Sequence, residues 1–267
     1  MIFYDAHNHL HDARLLAHSA DIDAALARLP LRGAVVNGTE EGDWDAVAAC
    51  ARAHAWVRPA FGLHPWRVAA RSPHWLERLT EQLDRSPRAV IGEIGLDRWI
   101  EGYDLPAQTA VFGAQMELAA TRHLPAAIHC LKAWGALWDY LRSHPTPEPG
   151  FLLHSYGGPS EMVAGFVEHG AYFSFSAYFL HERKAGAREV FRQIPLARLL
   201  VETDAPDMSP PAERNAHPLA DPATGQPINH PANIEVAYAG LAELRGLPLA
   251  KLAEIVAENF ERLYGKA

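Results

Sequence analysis

Short apolar runs alternate along the chain with stretches whose apolar residues fall three and four positions apart. The runs cover 2–6 (IFYDA), 33–37 (GAVVN), 57–62 (VRPAFG), 89–93 (AVIGE), 125–129 (PAAIH), 150–154 (GFLLH), 171–175 (AYFSF) and 198–203 (RLLVET). Each is continuous rather than alternating, the pattern of a strand buried on both faces of a parallel sheet. Between them, helices are expected over Asp21–Leu29, Trp44–His54, Pro73–Ser86, Leu105–Arg122, Ala133–His144, Ser160–His169 and Lys184–Ile194. Two more, Ala232–Leu244 and Pro248–Tyr264, close the chain. Eight strands alternating with helices predict an α/β fold, a TIM-like (β/α)8 barrel formed as a single domain over 1–267; an open doubly wound sheet is the alternative. No Gly-x-Gly-x-x-Gly follows the first run, which speaks against a dinucleotide site. The longest segment without periodicity, 205–231, holds seven prolines and follows the last strand.

Composition narrows this picture. With 267 residues, 49% of them hydrophobic, the chain can bury a large core. A net charge of −8, from 24 basic and 32 acidic residues, is not the footprint of a protein that coats nucleic acid. Any attraction for phosphate must be local, and bound metal ions could supply it. No window approaches the roughly 18 consecutive apolar residues that a membrane span needs. No basic stretch precedes a long apolar run at the start, so no secretory leader is expected. Two cysteines, Cys50 and Cys130, suggest no disulfide framework and fit a reducing cytoplasm. Nothing marks an obligate protein partner.

The chemistry lies at the strand ends. The first run leads into His7-Asn8-His9, the third into His64-Pro65, the fourth ends in Glu93, the fifth in His129, the sixth in His154, and the eighth leads into Asp204. In a barrel, active sites form at that end of the strands. Four histidines (His7, His9, His129 and His154) and two carboxylates (Glu93 and Asp204) would then converge. Massing them without an ion would leave buried polar groups without partners. Imidazole and carboxylate together suit zinc, manganese and similar metals, with magnesium favouring a more oxygen-rich set. His7 and His9, two apart on one strand, face the same side, with Asn8 turned away. Six ligands exceed what one tetrahedral ion takes, so two divalent ions are expected, with Glu93 bridging them. Asp5 shares the parity of His7 and is expected to support the pair from behind; His11 lies beyond the expected strand end and is left out. Of the seven tryptophans, only Trp66 falls near a candidate site residue.

Several motifs resemble the TatD family of metal-dependent deoxyribonucleases, within the amidohydrolase-like superfamily: DAHNHLHD, FGLHPW, VIGEIGLD, LPAAIHC, LLHSYGG, VETDAPDM and ENFERLYG. The resemblance runs from residue 2 to about residue 265. It implies a barrel and assigns the metals to His7, His9, Glu93, His129, His154 and Asp204. It also implies that His64 lies beside the metals and meets substrate phosphate. The expected activity is exonuclease-like hydrolysis of single-stranded DNA by a metal-bound hydroxide, with Asp204 as base and Glu93 and His64 also catalytic. The same metal pair would also serve an amidohydrolase or esterase acting on a small carbonyl compound. Leu131 stands where the family commonly has an arginine, with Lys132, a candidate substrate contact, next to it. SYGG after His154, Ala177 in place of a common glycine, and a long 205–231 segment are further departures. All lie where substrate is contacted, so they bear on its identity and not on the metal chemistry.

Overall fold

The computed structural model describes residues 1–266. Its first eight strands are β1 (Phe3–Asn8), β2 (Leu31–Asn37), β3 (Val57–Phe61), β4 (Val90–Asp97), β5 (Ala126–Leu131), β6 (Phe151–Leu153), β7 (Ala171–Ser176) and β8 (Leu199–Glu202). They neighbour one another in chain order in one sheet. The pairings β1–β2, β3–β4, β4–β5, β5–β6 and β7–β8 are parallel. Every residue of β1, β3, β4, β6, β7 and β8 is buried, which is why these strands read as unbroken apolar runs. The α-helices are α1 (Ala13–Leu16), α2 (Ser19–Leu26), α3 (Trp44–Ala53), α4 (Trp75–Asp84), α5 (Leu105–Thr121), α6 (Trp134–Ser143), α7 (Val163–Glu168), α8 (Ala185–Gln193), α9 (Ile234–Arg245) and α10 (Leu249–Tyr264). The one-turn α1 carries too few residues to show a period. None of the described helices is long and apolar enough to cross a membrane.

The chain divides into two compact units, Met1–Val36 with Phe173–Ala267, and Asn37–Tyr172. In the first, β1 is clamped by the closing helices. Phe3 stacks on Tyr238 at 4.3 Å and Tyr4 on Phe260 at 4.4 Å. The Tyr238 hydroxyl accepts from the Tyr4 N–H and donates to the Tyr4 carbonyl, at 2.9 and 3.1 Å. Asn259 of α10 donates to the carbonyls of Leu196 and Leu199, fixing the entry to β8. In the second unit, α5 does the same work with two buried glutamines. Gln108 pairs with the backbone N–H and C=O of Asp97, and Gln115 with those of Leu63.

Two expectations change. The fourth strand does not end at Glu93 but runs on to Asp97. Gly92 and Gly95 resemble a strand stop in the sequence, yet Gly95 is needed inside the strand. Its φ is +152°, and a Cβ there would collide with the His129 carbonyl. The pairing with β5 is irregular between Ile91 and Ile94, which is where Glu93 sits. The second change concerns 205–231, which contains an antiparallel hairpin of β9 (Pro218–Ala220) and β10 (Pro227–Asn229). Three-residue strands that each begin with proline leave no alternation to read.

Candidate metal centre

Each unit carries its own cluster of imidazoles and carboxylates. In the first, His7 Nε2 and His9 Nε2 lie 3.4 and 3.5 Å from Asp204 Oδ1. The two rings are 5.1 Å apart and nearly perpendicular. His7 belongs to β1, and His9 stands just past it. Asp204, two residues beyond β8, adopts φ +54°, a left-handed backbone that aspartate tolerates. Main-chain bonds fix all three: Asp204 N–H donates to the His7 carbonyl and His9 N–H to the Ala205 carbonyl, at 2.9 and 2.8 Å. Beneath them Asp5 accepts from the Thr203 hydroxyl at 2.6 Å, the Thr203 N–H at 3.0 Å, the His7 N–H at 3.2 Å and the Asn8 amide at 3.0 Å. Asp5 thus supports the histidines through the backbone and Thr203 rather than through their rings. Burial pushes its carboxyl up to about 6, against the pull of those hydrogen bonds. Asn8 is engaged by Asp5 and the Leu10 N–H and stands outside the donor cluster, as expected.

In the second unit one carboxylate oxygen gathers the imidazoles. Glu93 Oε1 is 3.0 Å from His154 Nε2, 3.3 Å from His129 Nδ1 and 3.5 Å from His64 Nε2. His129 Nδ1 and His154 Nε2 are themselves 3.3 Å apart. His129 lies on β5, and His154 directly follows β6. His129 turns its other nitrogen, Nε2, to Asp97 Oδ2 at 2.8 Å. That carboxylate also accepts from the Trp66 indole N–H at 2.9 Å and from the Trp99 and Ile100 backbone. Burial works to raise the Asp97 carboxyl, but the bonds from His129, Trp99 and Trp66 outweigh it and hold it down at about 2. A carboxylate so placed keeps the His129 proton on Nε2 and turns the Nδ1 lone pair toward Glu93 and His154. For His129, burial opposes the charged form, but the bonds to Asp97 and Glu93 prevail and its pKa is raised.

His64 differs from the histidines of the two clusters. Its Nδ1 accepts the Trp66 N–H at 3.2 Å, capping the 3₁₀ turn Pro65–Ala70. With Nδ1 accepting, Nε2 carries a proton in the neutral ring and presents a donor, not a lone pair. In that tautomer His64 offers a hydrogen, although its nitrogen also falls within a group, with Glu93 and His129, that could hold an ion.

The remaining donors fit divalent ions. Nitrogens and oxygens about 2.0–2.1 Å from a tetrahedral ion stand roughly 3.3–3.4 Å from one another. The separations of 3.4 and 3.5 Å around Asp204, and of 3.0 and 3.3 Å around Glu93, agree. The donor chemistry, three imidazole–carboxylate atoms in each cluster, is also that of zinc or manganese.

Asp97 and Trp66 were not assigned from the sequence. Asp97 shares the parity of Glu93 on one strand, and that parity was the available signal. The role of Trp66 rests on its backbone N–H and indole, which no spacing announces. Lys132 lies just past β5, exposed, at φ +55°. His11 is not part of either donor cluster, though its ring stands 6.1 Å from that of His9.

Clusters of this kind define a metal-dependent hydrolase of the (β/α)8 class. The model of the family described as TatD related DNase matches residues 4–265, and the chain belongs to that family. It is 31% identical over 267 residues to the metal-dependent hydrolase YjjV of Escherichia coli, covering 98% of this chain and 97% of that protein. It is 32% identical to the 3'-5' ssDNA/RNA exonuclease TatD of Enterobacter lignolyticus, covering 92% of this chain and 94% of that one. The crystal structure of YjjV superposes with a TM-score of 0.88 at 28% identity, covering 98% of this chain and 97% of that one, and shares its fold. A TatD-family hydrolase of Entamoeba histolytica, 19% identical, matches in fold over all of this chain and 99% of its own with a TM-score of 0.84.

Proposed function

We propose that the chain is a divalent-metal-dependent exonuclease that hydrolyses phosphodiester bonds of single-stranded nucleic acid, DNA above all, in the cytoplasm. The carrying observation is the pairing, within one unit, of an imidazole–carboxylate donor cluster with a histidine held as an N–H donor beside it. The naming of a relative 32% identical as a 3'-5' ssDNA/RNA exonuclease supports the substrate class.

In this reading His7, His9 and Asp204 hold one ion, and Glu93, His129 and His154 hold another. Zinc, manganese or magnesium at these positions supplies Lewis acidity and a water acidified toward neutral pH. Asp204 takes the proton of the attacking water. His64 offers its Nε2 proton to a phosphoryl oxygen or to the departing alkoxide. Asp97 keeps His129 in the required tautomer. Lys132 contributes an exposed positive charge toward substrate phosphate. Ions held by these residues would also give the site a local positive charge that the net −8 of the chain does not.

Hydrolysis of 5′-labelled single-stranded DNA, run beside a panel of small amides and esters, tests this. Metal-dependent release of nucleotides, abolished by Asp204→Asn, is expected. Turnover confined to the carbonyl panel would replace it with an amidohydrolase.

A further inference from the structure

Among the described residues, large apolar side chains are exposed at few places, and four of them stand at or after the ends of β3, β4 and β5 in the chain. Trp66 is 46% exposed, Trp99 60%, Tyr103 40% and Leu131 38%. Single exposed aromatics are ordinary on a protein surface, but a neighbouring pair beside a reactive cluster is not. The Trp66 and Trp99 rings lie 6.4 Å apart with planes inclined by only 31°. Trp66 is anchored by its indole bond to Asp97 and by its backbone bond to His64. The Trp99 backbone N–H donates to the same carboxylate and fixes where its side chain leaves the main chain. Cations border the ledge: Arg98 lies over Tyr103 at 5.6 Å and donates to its hydroxyl, and Lys132 follows Leu131. The Trp66 ring is 5.0 Å from that of His64 and 6.3 Å from that of His129.

We propose that the Trp66–Trp99 ledge is a stacking subsite for an unpaired nucleobase of the polynucleotide whose phosphodiester lies at the metal centre. This inference rests on the nucleic-acid reading above and sharpens it. Flat, preoriented aromatic faces with flanking cations are what stacks the bases of single strands, whatever their sequence. A base within a duplex has its faces covered, so the ledge selects frayed or single-stranded ends. A small aliphatic amide or ester has no aromatic face for such a ledge.

Affinity for phosphorothioate-linked oligomers, which resist cleavage, tests it on the metal-loaded full chain. One oligomer carries thymine at every position; the other is abasic throughout and keeps only the charged backbone. The intact protein is expected to bind the thymine oligomer about 5- to 150-fold more tightly, with quenched tryptophan fluorescence. Trp99→Ala should erase most of that preference, and Trp99→Phe should retain most of it. Equal affinity for the two oligomers, or a preference that Trp99→Ala leaves intact, overturns the subsite. So does a dimer that needs Trp99 and excludes the oligomer. Cleavage of ordinary single-stranded DNA is measured alongside. Its presence without a base preference overturns the subsite alone, whereas its absence overturns the nuclease reading itself.

Discussion

The two donor clusters reach similar separations by different means. Around Asp204 the main chain does the positioning: β1 and the segment after β8 exchange backbone hydrogen bonds, and Asp5 stitches Thr203 to the His7 N–H beneath. Around Glu93 the side chains do it. Asp97 grips His129, Trp66 grips Asp97 and His64, and the glutamines of α5 hold the strand exits. A ligand held by the backbone is lost only when the strands themselves shift. A ligand held by a chain of side-chain hydrogen bonds can be detuned one atom at a time.

The largest effect falls on the cluster held by the main chain. Asp204→Asn removes a ligand and the proposed base together. Turnover is expected to fall about 10²- to 10⁴-fold, read as kcat on single-stranded DNA. A variant with near-normal kcat would remove Asp204 from the chemistry.

The next separates the clusters. Asp97→Asn keeps the size of the side chain but lets the amide compete for the wrong His129 tautomer. Metal affinity or activity should fall about 10- to 100-fold, read by metal-titration calorimetry and kcat. The cluster of His7, His9 and Asp204 should keep its affinity. Equal weakening at both would show that Asp97 acts on folding rather than on His129.

Asp5→Asn should act on stability instead. The folded pKa of Asp5, about 6, lies above its ordinary value of 3.8. Its titration therefore stabilises the fold fully below about 4, and that contribution is lost as pH rises through about 6. Asparagine does not titrate. The difference in unfolding free energy, measured in urea with chelator present, should move toward the variant by about 1–3 kcal/mol between those limits. A difference constant with pH would contradict the burial of an ionisable Asp5. Trp99→Ala should leave both clusters alone and act on base preference, where its effect is of the same order as that of Asp5→Asn on stability.

The contrast also explains what was legible in the sequence. Strands buried on both faces print themselves as continuous apolar runs, so the eight strands and the helices between them were visible within a few residues. The six ligand candidates were visible because metal-binding side chains gather at strand ends. Asp97 was hidden because two glycines made the fourth strand look finished at Glu93. The role of His64 as donor was implied only by family resemblance; its physical reason, a backbone N–H occupying Nδ1, depends on a turn that periodicity does not report. The β9–β10 hairpin was hidden because its strands are three residues long and each is opened by a proline.

The central claim is that the donors named hold two ions, one at each cluster. Elemental analysis of reconstituted protein tests it most directly, comparing the intact chain with His9→Ala and His129→Ala. The account predicts about two divalent ions per intact chain and about one in each variant, with the double variant near zero. Retention of the full complement by both single variants, or no bound metal in the intact chain, would contradict it.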